Sequence, residues 1–304
     1  MNPYSYNTDN FQFNLKLKKA APKWSRYTVE FDSAYKAPFP ELNLARGHLF
    51  LPRREEKVPL IILLHGVGDH SVIPCWMLAR NMVKQGVASF ILYPPYHSSR
   101  MTPDMNRRFP LLTDEEWFGH YRISVINVRQ IMDWAGQYPA IDSNNIALFG
   151  LSLGGFVAAI TMGVDNRVKA GILSVMGGNS AKISQLSPRW VRRGFNQPEE
   201  KYRQQQEIYH KYLDQVEQRG FSEVTPPFQS FLIDPMTFAA FLRARPVCMF
   251  NARWDEAVPR EATLDFWKTC GKPPITWLPA THATIWAWYP IIERKIDRFL
   301  DSVF

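Results

Sequence analysis

IALFGLSLGGF, residues 146–156, begins with an apolar run and continues into a turn in which one serine lies between two glycines. A second apolar run begins directly after the serine. The first run predicts a buried strand at residues 145–149, and the second predicts a helix at residues 153–162. Gly150 and Gly154 stand two residues before and two residues after Ser152, where a side chain would collide within a sharp turn. The stretch therefore predicts a strand, a strained turn that exposes the Ser152 hydroxyl, and a helix.

The same alternation of apolar runs and helical periodicity extends through most of the chain. Residues 58–64 (VPLIILL) and 88–93 (ASFILY) are continuous apolar runs, which is the pattern of strands covered by helices on both faces. Further strands are predicted at residues 25–32, 44–52, 145–149, 170–175, 246–251 and 275–278, and helices at residues 113–138, 153–162, 261–269 and 292–303. This alternation predicts an α/β fold with a mostly parallel central sheet of about eight strands flanked by helices.

One long stretch interrupts the alternation of predicted strands and helices and divides the predicted core into two segments. Residues 179–240 separate two predicted strands, whereas α/β connections usually take about 2 to 6 residues outside their helix. We expect this insertion to form a helical cap or lid, with the alternative that it only covers the edge of the sheet. The predicted α/β core then comprises residues 25–178 and 241–304, and residues 1–24 form an N-terminal extension.

The composition is that of a globular protein and restricts the classes of function. The 304 residues are 46% hydrophobic, and the net charge is +8. The charge is mostly diffuse and forms no basic tail, so we expect no nucleic-acid partner. Three cysteines are an odd number without the spacing of a metal site, so we expect reduced thiols and no bound metal: Cys75, Cys248 and Cys270.

The sequence also bears on the compartment. No stretch reaches the roughly 18 apolar residues that a transmembrane helix needs, and the polar first residues contain no signal-like apolar region. We therefore expect a cytoplasmic protein without a transmembrane segment. The pattern leaves the oligomeric state open.

Ser152 needs two partners, because a serine hydroxyl is a weak nucleophile at neutral pH. A histidine must take its proton, and a carboxylate must hold that histidine in the required tautomer. Asp255 follows a predicted strand at the carboxyl edge of the sheet, and His282 is the only histidine downstream of it. We therefore predict Ser152 as the nucleophile, His282 as the base and Asp255 as the orienting acid. Glu256 remains an alternative acid, whereas Asp234 is expected to cap a helix.

Attack on a carbonyl carbon places negative charge on its oxygen, and backbone N–H groups can stabilise this oxyanion. Leu153 is the first predicted donor, because its N–H lies at the start of a helix. Val67 is the second, in the glycine-containing loop of residues 65–69 (HGVGD). His65 is expected to form hydrogen bonds within this loop instead of acting as a second base.

Three further residues are candidates for substrate contact. His97 and Arg100 follow the predicted strand at residues 88–93, and Trp286 lies near His282. A structural role is the alternative for His97, and core packing is the alternative for Trp286. Three arginines of the insertion could attract an anionic ester or a phospholipid headgroup, or could form a solvated face: Arg189, Arg192 and Arg193.

These motifs together resemble the α/β-hydrolase superfamily, in its order along the chain: His65-Gly66, residues 150–154, Asp255 and His282. Residues 255–259 (DEAVP) are similar to the D-x-x-V-P turn of bacterial esterases and dienelactone-hydrolase-like proteins. Dienelactone hydrolases have cysteine where this chain has Ser152, and this difference favours ester chemistry. The resemblance implies an α/β-hydrolase fold and a serine hydrolase that cleaves a small-molecule or lipid carboxylic ester through an acyl-enzyme, without a cofactor.

Two alternatives to this interpretation stay open. A thioesterase or a lipid deacylase would use the same three residues. A catalytically silent member of the fold would serve as a binding protein, although silent members usually lose one of the three residues that this chain retains. The acyl and alcohol groups of a substrate do not follow from the fold.

Overall fold

Nine strands form one sheet in the computed structural model, which describes residues 2–8, 12–108, 111–188 and 197–304 apart from the side chains of Asp69, Asn106 and Arg108. The strands are β1 (Asn14–Ala20), β2 (Trp24–Asp32), β3 (Leu44–Pro52), β4 (Val58–Leu64), β5 (Ala88–Leu92), β6 (Ile141–Leu151), β7 (Val168–Ser174), β8 (Val247–Ala252) and β9 (Ile275–Leu278). Their order in the sheet is β1-β2-β3-β5-β4-β6-β7-β8-β9. The pairs β1–β2, β2–β3 and β3–β5 are antiparallel, and all later pairs are parallel. The predicted α/β sheet with a parallel centre is confirmed.

Helices connect the parallel strands. They are α1 (Ile73–Gln85), α2 (Pro103–Arg108), α3 (Asp114–Gln137), α4 (Leu153–Val164), α5 (Ser180–Leu186), α6 (Glu199–Arg219), α7 (Met236–Ala239), α8 (Arg260–Thr269) and α9 (Tyr289–Asp301). The longest of these, α3, begins at a capping box: Thr113 Oγ1 accepts from Glu116 N at 3.2 Å, and Glu116 Oε2 accepts from Thr113 N at 2.9 Å. This local signal explains why the start of the predicted helix at residues 113–138 agrees with the structure to within a residue.

Apolar side chains cover both faces of the sheet. Leu60 and Ile62 of β4 pack into a cluster with α3 and α4, whereas Ile61 and Leu63 pack into a second cluster with α1 and α9. Successive side chains of a strand point to opposite faces, so a strand buried on both faces must be apolar throughout. This burial accounts for the continuous apolar run at residues 58–64.

The first strand is a correction to the sequence analysis, which treats residues 1–24 as an extension and expects about eight strands. β1 lies in that extension and forms the edge of the sheet beside β2. Most of its side chains are exposed, including Lys16, Lys18 and Lys19. Lysines on an edge strand discourage pairing with other chains, and they also hide the apolar alternation by which a strand is predicted.

The insertion at residues 179–240 is helical over much of its described part and contributes to the core. Tyr209 and Tyr212 of α6 and Phe238 of α7 are buried in the cluster that also contains α3 and α4. A Cβ on Gly163 of α4 would lie 2.5 Å from Phe238 Cβ, so α7 packs directly on α4. The insertion therefore covers one face of the sheet, and a role as a lid remains a proposal.

None of the helices in the described part of the chain is both long enough and apolar enough to cross a bilayer.

Asp165 follows α4 and pairs with two arginines. Its carboxylate accepts from Arg129 Nε at 2.8 Å and from Arg167 Nη2 at 2.7 Å, and its side chain is only 5% exposed. Burial raises the pKa of this carboxyl, but the hydrogen bonds from Arg167 and Arg129 outweigh burial and lower the pKa to about 2. The ionised carboxylate therefore stabilises the fold at neutral pH, and this contribution is lost as the pH falls through that value.

We predict that Asp165→Asn lowers the free energy of unfolding at pH 7 by about 2 kcal/mol, because two partly buried arginines lose their shared carboxylate. The difference from wild type should shrink as the pH falls from about 4 toward 2, since protonation of Asp165 removes the same charge. Denaturant titrations across this pH range measure both effects. Asp32→Asn, which removes an exposed pair with Lys36, is the control and should change stability by less than about 0.5 kcal/mol. A loss in Asp165→Asn that is independent of pH would contradict this account.

Candidate active site

Ser152 lies in the turn between β6 and α4 and has φ 51° and ψ −116°, a conformation that residues other than glycine rarely adopt. A Cβ on Gly150 would lie 2.3 Å from Gly154 O, and a Cβ on Gly154 would lie 2.1 Å from Leu64 O. Ser152 N donates to Ser174 O at 2.8 Å and so ties the turn to β7. The two glycines let the turn close against the central strands, as the sequence predicts.

The structure brings together the three residues that the sequence predicts to act as a unit. Ser152 Oγ lies 2.9 Å from His282 Nε2, and His282 Nδ1 lies 2.9 Å from each carboxylate oxygen of Asp255. In the tautomer with the proton on Nδ1, the histidine donates to Asp255 and accepts from the Ser152 hydroxyl. The Asp255 side chain is 4% exposed and that of His282 is 19% exposed, whereas Ser152 is partly buried, so water is excluded mainly at the Asp255 end of this series of hydrogen bonds.

Backbone amides hold the Asp255 carboxylate in place. Asp255 Oδ1 accepts from Ala257 N at 3.0 Å and from Val258 N at 2.8 Å. The neighbouring Glu256 makes a different contact, since its Oε2 accepts from the backbone N of His282 at 3.1 Å. The loop after β8 is therefore linked to the loop after β9 by a side-chain contact from each of two adjacent carboxylates.

The two predicted oxyanion donors lie on the stretches that flank the serine. Leu153 is the first residue of α4, so its N–H has no acceptor within the helix. The loop with Val67 approaches from β4, because a Cβ on Gly66 would lie 3.2 Å from Ser152 Cβ. A role of Leu153 and Val67 as oxyanion donors stays a prediction.

Ser71 organises the loop of residues 65–69, and sequence reasoning missed it. Its Oγ lies 2.6 Å from Gly66 O and 2.5 Å from Gly68 O, and it lies 2.9 Å from Nδ1 of the buried His65. Nδ1 of His65 is also 2.8 Å from Gly66 O. His65 thus has the structural role expected from the sequence. No local sequence pattern predicts this role of Ser71, because its hydrogen bonds form only when the loop folds back onto itself.

His97 and Arg100, two of the expected substrate contacts, are both buried. His97 is 1% exposed, its Nδ1 lies 2.8 Å from Pro95 O, and its ring packs 5.3 Å from that of His65. Arg100 has no exposed surface, and it donates to Leu42 O at 2.5 Å and to Tyr93 O at 3.0 Å. Burial of this extent leaves almost no surface of either side chain open to a ligand, and substrate contact by them stays a prediction. Both residues instead connect the chain after β5 to its surroundings.

Trp286 lies after β9 and packs against the core. Its ring centroid is 5.8 Å from that of Phe149 in β6 and 6.3 Å from that of Tyr289. This position agrees with the core-packing alternative, and substrate contact by Trp286 stays untested. The arginines considered for anion binding, Arg189, Arg192 and Arg193, lie outside the described residues.

Comparison with known families gives one match by sequence. The model of the family described as Alpha/beta hydrolase domain containing 18 matches residues 9–184, which is more than half of the 304 residues. The matched span includes Val67 and Ser152 and ends before Asp255 and His282. No curated protein matches the sequence of this chain.

Solved structures resemble the whole chain. An acetyl xylan esterase from Paenibacillus sp. R4 is 16% identical, with a TM-score of 0.68 over 97% of this chain and 90% of that chain. A cold-adapted esterase from an Arctic intertidal metagenomic library, in complex with PEG, is 14% identical, with a TM-score of 0.62 over 96% of this chain and 99% of that chain. Acetyl xylan esterase 1 from Thermoanaerobacterium sp. JW/SL YS485 is 14% identical, with a TM-score of 0.63 over 97% and 89%. At these identities the likeness establishes the α/β-hydrolase fold.

We predict that Gly154→Ala lowers the free energy of unfolding by about 2 kcal/mol, because the new methyl group meets the backbone oxygen of Leu64, which cannot move without displacing β4. Gly136→Ala is the control: it is also helical, but a Cβ there meets nothing within 4 Å. It should raise stability by up to about 1 kcal/mol, since alanine favours a helix. Thermal and denaturant unfolding compare the two variants. Equal stability of Gly154→Ala and wild type would show that the turn has more room than its geometry indicates.

Proposed function

Because the chain belongs to the Alpha/beta hydrolase domain containing 18 family, we propose that it is a serine hydrolase that cleaves carboxylic esters through an acyl-enzyme on Ser152. This proposal rests on the continuous series of hydrogen bonds that links Ser152 Oγ to the His282 imidazole and the imidazole to the Asp255 carboxylate. A serine in a strained turn with a histidine at 2.9 Å is the arrangement that nucleophilic catalysis requires.

In the proposed reaction, Ser152 Oγ attacks the ester carbonyl carbon while His282 Nε2 takes the hydroxyl proton. The carbonyl oxygen becomes negatively charged, and the backbone N–H groups of Leu153 and Val67 donate to it. Collapse of the tetrahedral intermediate breaks the bond to the alcohol oxygen, which receives the proton from His282 and leaves. Water then attacks the acyl-enzyme with His282 again as the base, and the acid and free Ser152 are released.

Asp255 acts through the histidine in this proposal. Its carboxylate holds the proton of His282 on Nδ1, which leaves Nε2 free to accept the proton of Ser152. The two backbone donors at Ala257 and Val258 support this role, since they fix the carboxylate and stabilise its charge. Glu256 is a positioning residue, because it contacts the backbone of His282 and not the imidazole.

The cysteines bear on the compartment that we propose. All three are unpaired and buried: Cys75, Cys248 and Cys270. Unpaired thiols support a reducing environment, and we propose the cytoplasm.

The first test is hydrolysis of a p-nitrophenyl ester series from acetate to palmitate. We predict that wild type hydrolyses at least one member and that Ser152→Ala lowers kcat by about 10⁴-fold or more, because the nucleophile is absent. Ser302→Ala, which removes an exposed hydroxyl beyond α9, is the control and should retain wild-type rates. Undiminished hydrolysis by Ser152→Ala would exclude the acyl-enzyme. Inactivity of the folded wild type toward every ester and toward a fluorophosphonate probe would favour a silent member of the fold.

A second test separates the two adjacent carboxylates. We predict that Asp255→Asn lowers kcat by about 10³- to 10⁴-fold, because the amide favours the wrong tautomer of His282. Glu256→Gln is the matched variant, and it should cost less than about tenfold, since a glutamine oxygen can still accept from the His282 backbone. Steady-state kinetics on the best ester, with circular dichroism as the folding control, measure both. The reverse order of effects would identify Glu256 as the orienting acid.

A further inference from the structure

A polar cavity of about 220 Å³ lies between α5, α6 and the turn that precedes α7, and Asp114 at the start of α3 also lines it. It has room for about seven water molecules at the volume that each occupies in the liquid. Ser152, Asp255 and His282 are not among the described residues that line it. The cavity is therefore distinct from the catalytic site proposed above, and the proposed reaction assigns it no role.

The side chains around this cavity are mostly uncharged hydrogen-bonding groups. Apart from Ala181 and Phe231, the described lining residues are polar, and none of them is Lys, Arg or His. Amides from both helices face it, including Gln185, Gln205 and Gln206. An amide side chain both donates and accepts, as does the hydroxyl group of an alcohol.

Two of these groups are buried without satisfying their hydrogen-bonding capacity. Gln205 Oε1 makes no hydrogen bond with any described residue. The Tyr209 hydroxyl makes none of normal geometry, and the Asp234 carboxylate is its one nearby acceptor among the described residues. Tyr209 is 2% exposed, and burial followed by the nearby Asp234 charge raises its pKa well above the ordinary value, so the hydroxyl keeps its proton. Leaving such groups unpaired costs about 1–3 kcal/mol each. A ligand that offers hydroxyl groups would recover that cost.

Asp234, one of the two carboxylates that line the cavity, is held by backbone N–H groups. Asp234 accepts from Asn179 N at 2.8 Å, from Ser180 N at 2.5 Å and from Met236 N at 3.0 Å. It thereby joins the starts of α5 and α7, as expected for a helix cap. Since three N–H groups share its charge, the carboxylate does not favour a cationic ligand.

A rigid side-chain pair forms another part of the wall. Asn179 Nδ2 donates to Gln206 Oε1 at 2.6 Å, and Gln206 Nε2 donates to Asn179 Oδ1 at 3.2 Å. This reciprocal pair connects the start of α5 to α6 and keeps the cavity open. The rings of Tyr202 and Phe231 add flat apolar surface beside the polar groups.

The position of α5 relates the cavity to the loop that carries Asp255. α5 lines the cavity along its length, from Ser180 to Gln185, and just beyond its C-terminal end Ser187 Oγ donates to Ala257 O at 3.2 Å. One short helix therefore connects the cavity to the loop that carries Asp255.

We propose that this cavity is a binding site for a neutral, hydroxyl-rich ring such as a monosaccharide or a cyclic polyol. Uncharged amides and hydroxyls match the alternating donors and acceptors of such a ring, and the aromatic rings match its C–H face. An anionic headgroup finds no cationic partner among the described lining residues. Of the two lining carboxylates, that of Asp234 is occupied by backbone N–H groups, and that of Asp114 lies at the exposed start of α3, outside the group of amides. The proposal concerns binding alone and does not depend on turnover at Ser152.

The test is a binding titration with full-length Ser152→Ala protein, which excludes turnover of any probe. The neutral probes are methyl glucoside, methyl xyloside and myo-inositol, and the charged probes are inorganic phosphate and choline. Saturation-transfer NMR should detect saturable binding of at least one neutral probe and none of either charged probe. Absence of neutral binding would overturn the proposal, and so would preferential binding of phosphate or choline.

Variants locate the binding in this cavity. Tyr209→Phe and Gln205→Met should each raise the Kd of the neutral probe about three- to tenfold, the effect of one lost hydrogen bond. Tyr209→Phe removes a buried hydroxyl that makes no hydrogen bond of normal geometry, so it should change the melting temperature little, and thermal unfolding beside the titration separates binding from folding. Gln204→Met is the control, because Gln204 is the exposed neighbour on α6 and donates to Glu200. Equal affinity of all three variants and the parent would place the ligand elsewhere and contradict the proposal.

Discussion

The first turn of α4 approaches the end of β4 so closely that only glycine fits between them. A Cβ on Gly154 would lie 2.1 Å from Leu64 O, and a Cβ on Gly150 would lie 2.3 Å from Gly154 O. This contact sets the N-terminus of α4 on the central parallel strands and leaves Ser152 at φ 51°. Strain of this kind costs about 1–3 kcal/mol and persists only because the surrounding core holds it in place. The rest of the site is arranged around that turn.

Sheet order explains how distant parts of the chain reach Ser152. β6, β7, β8 and β9 are neighbours and run parallel, so the loops at their carboxyl ends meet at one edge. Asp255 follows β8 and His282 follows β9, and Glu256 ties the two loops together through the His282 backbone. Because β4 lies on the other side of β6, the loop with Val67 approaches the serine from the opposite direction.

The insertion combines two kinds of surface in one segment. Its apolar side chains, such as Tyr212 and Phe238, belong to the cluster between the helices and the sheet. Its amides and hydroxyls, such as Gln205 and Gln206, surround a cavity instead of filling it. A segment needed only to cover the sheet would gain nothing from buried groups without partners, since each one opposes folding. This difference between the two surfaces supports the two proposals, catalysis at the edge of the sheet and ligand binding in the cavity of the insertion.

Local chemistry let the sequence by itself determine the α/β class, the glycine turn around Ser152 and the order of the candidate site residues. Continuous apolar runs, small residues at fixed spacing and a single downstream histidine are all visible without a structure. Only the tertiary structure decided that β1 joins the sheet, that Arg100 is buried among backbone carbonyls and that Ser71 shapes the loop beside the serine. Each of these depends on which groups folding brings together, and no periodicity in the chain encodes such contacts. The same reason hides the cavity, because its walls come from two helices and a turn that meet only in the folded protein.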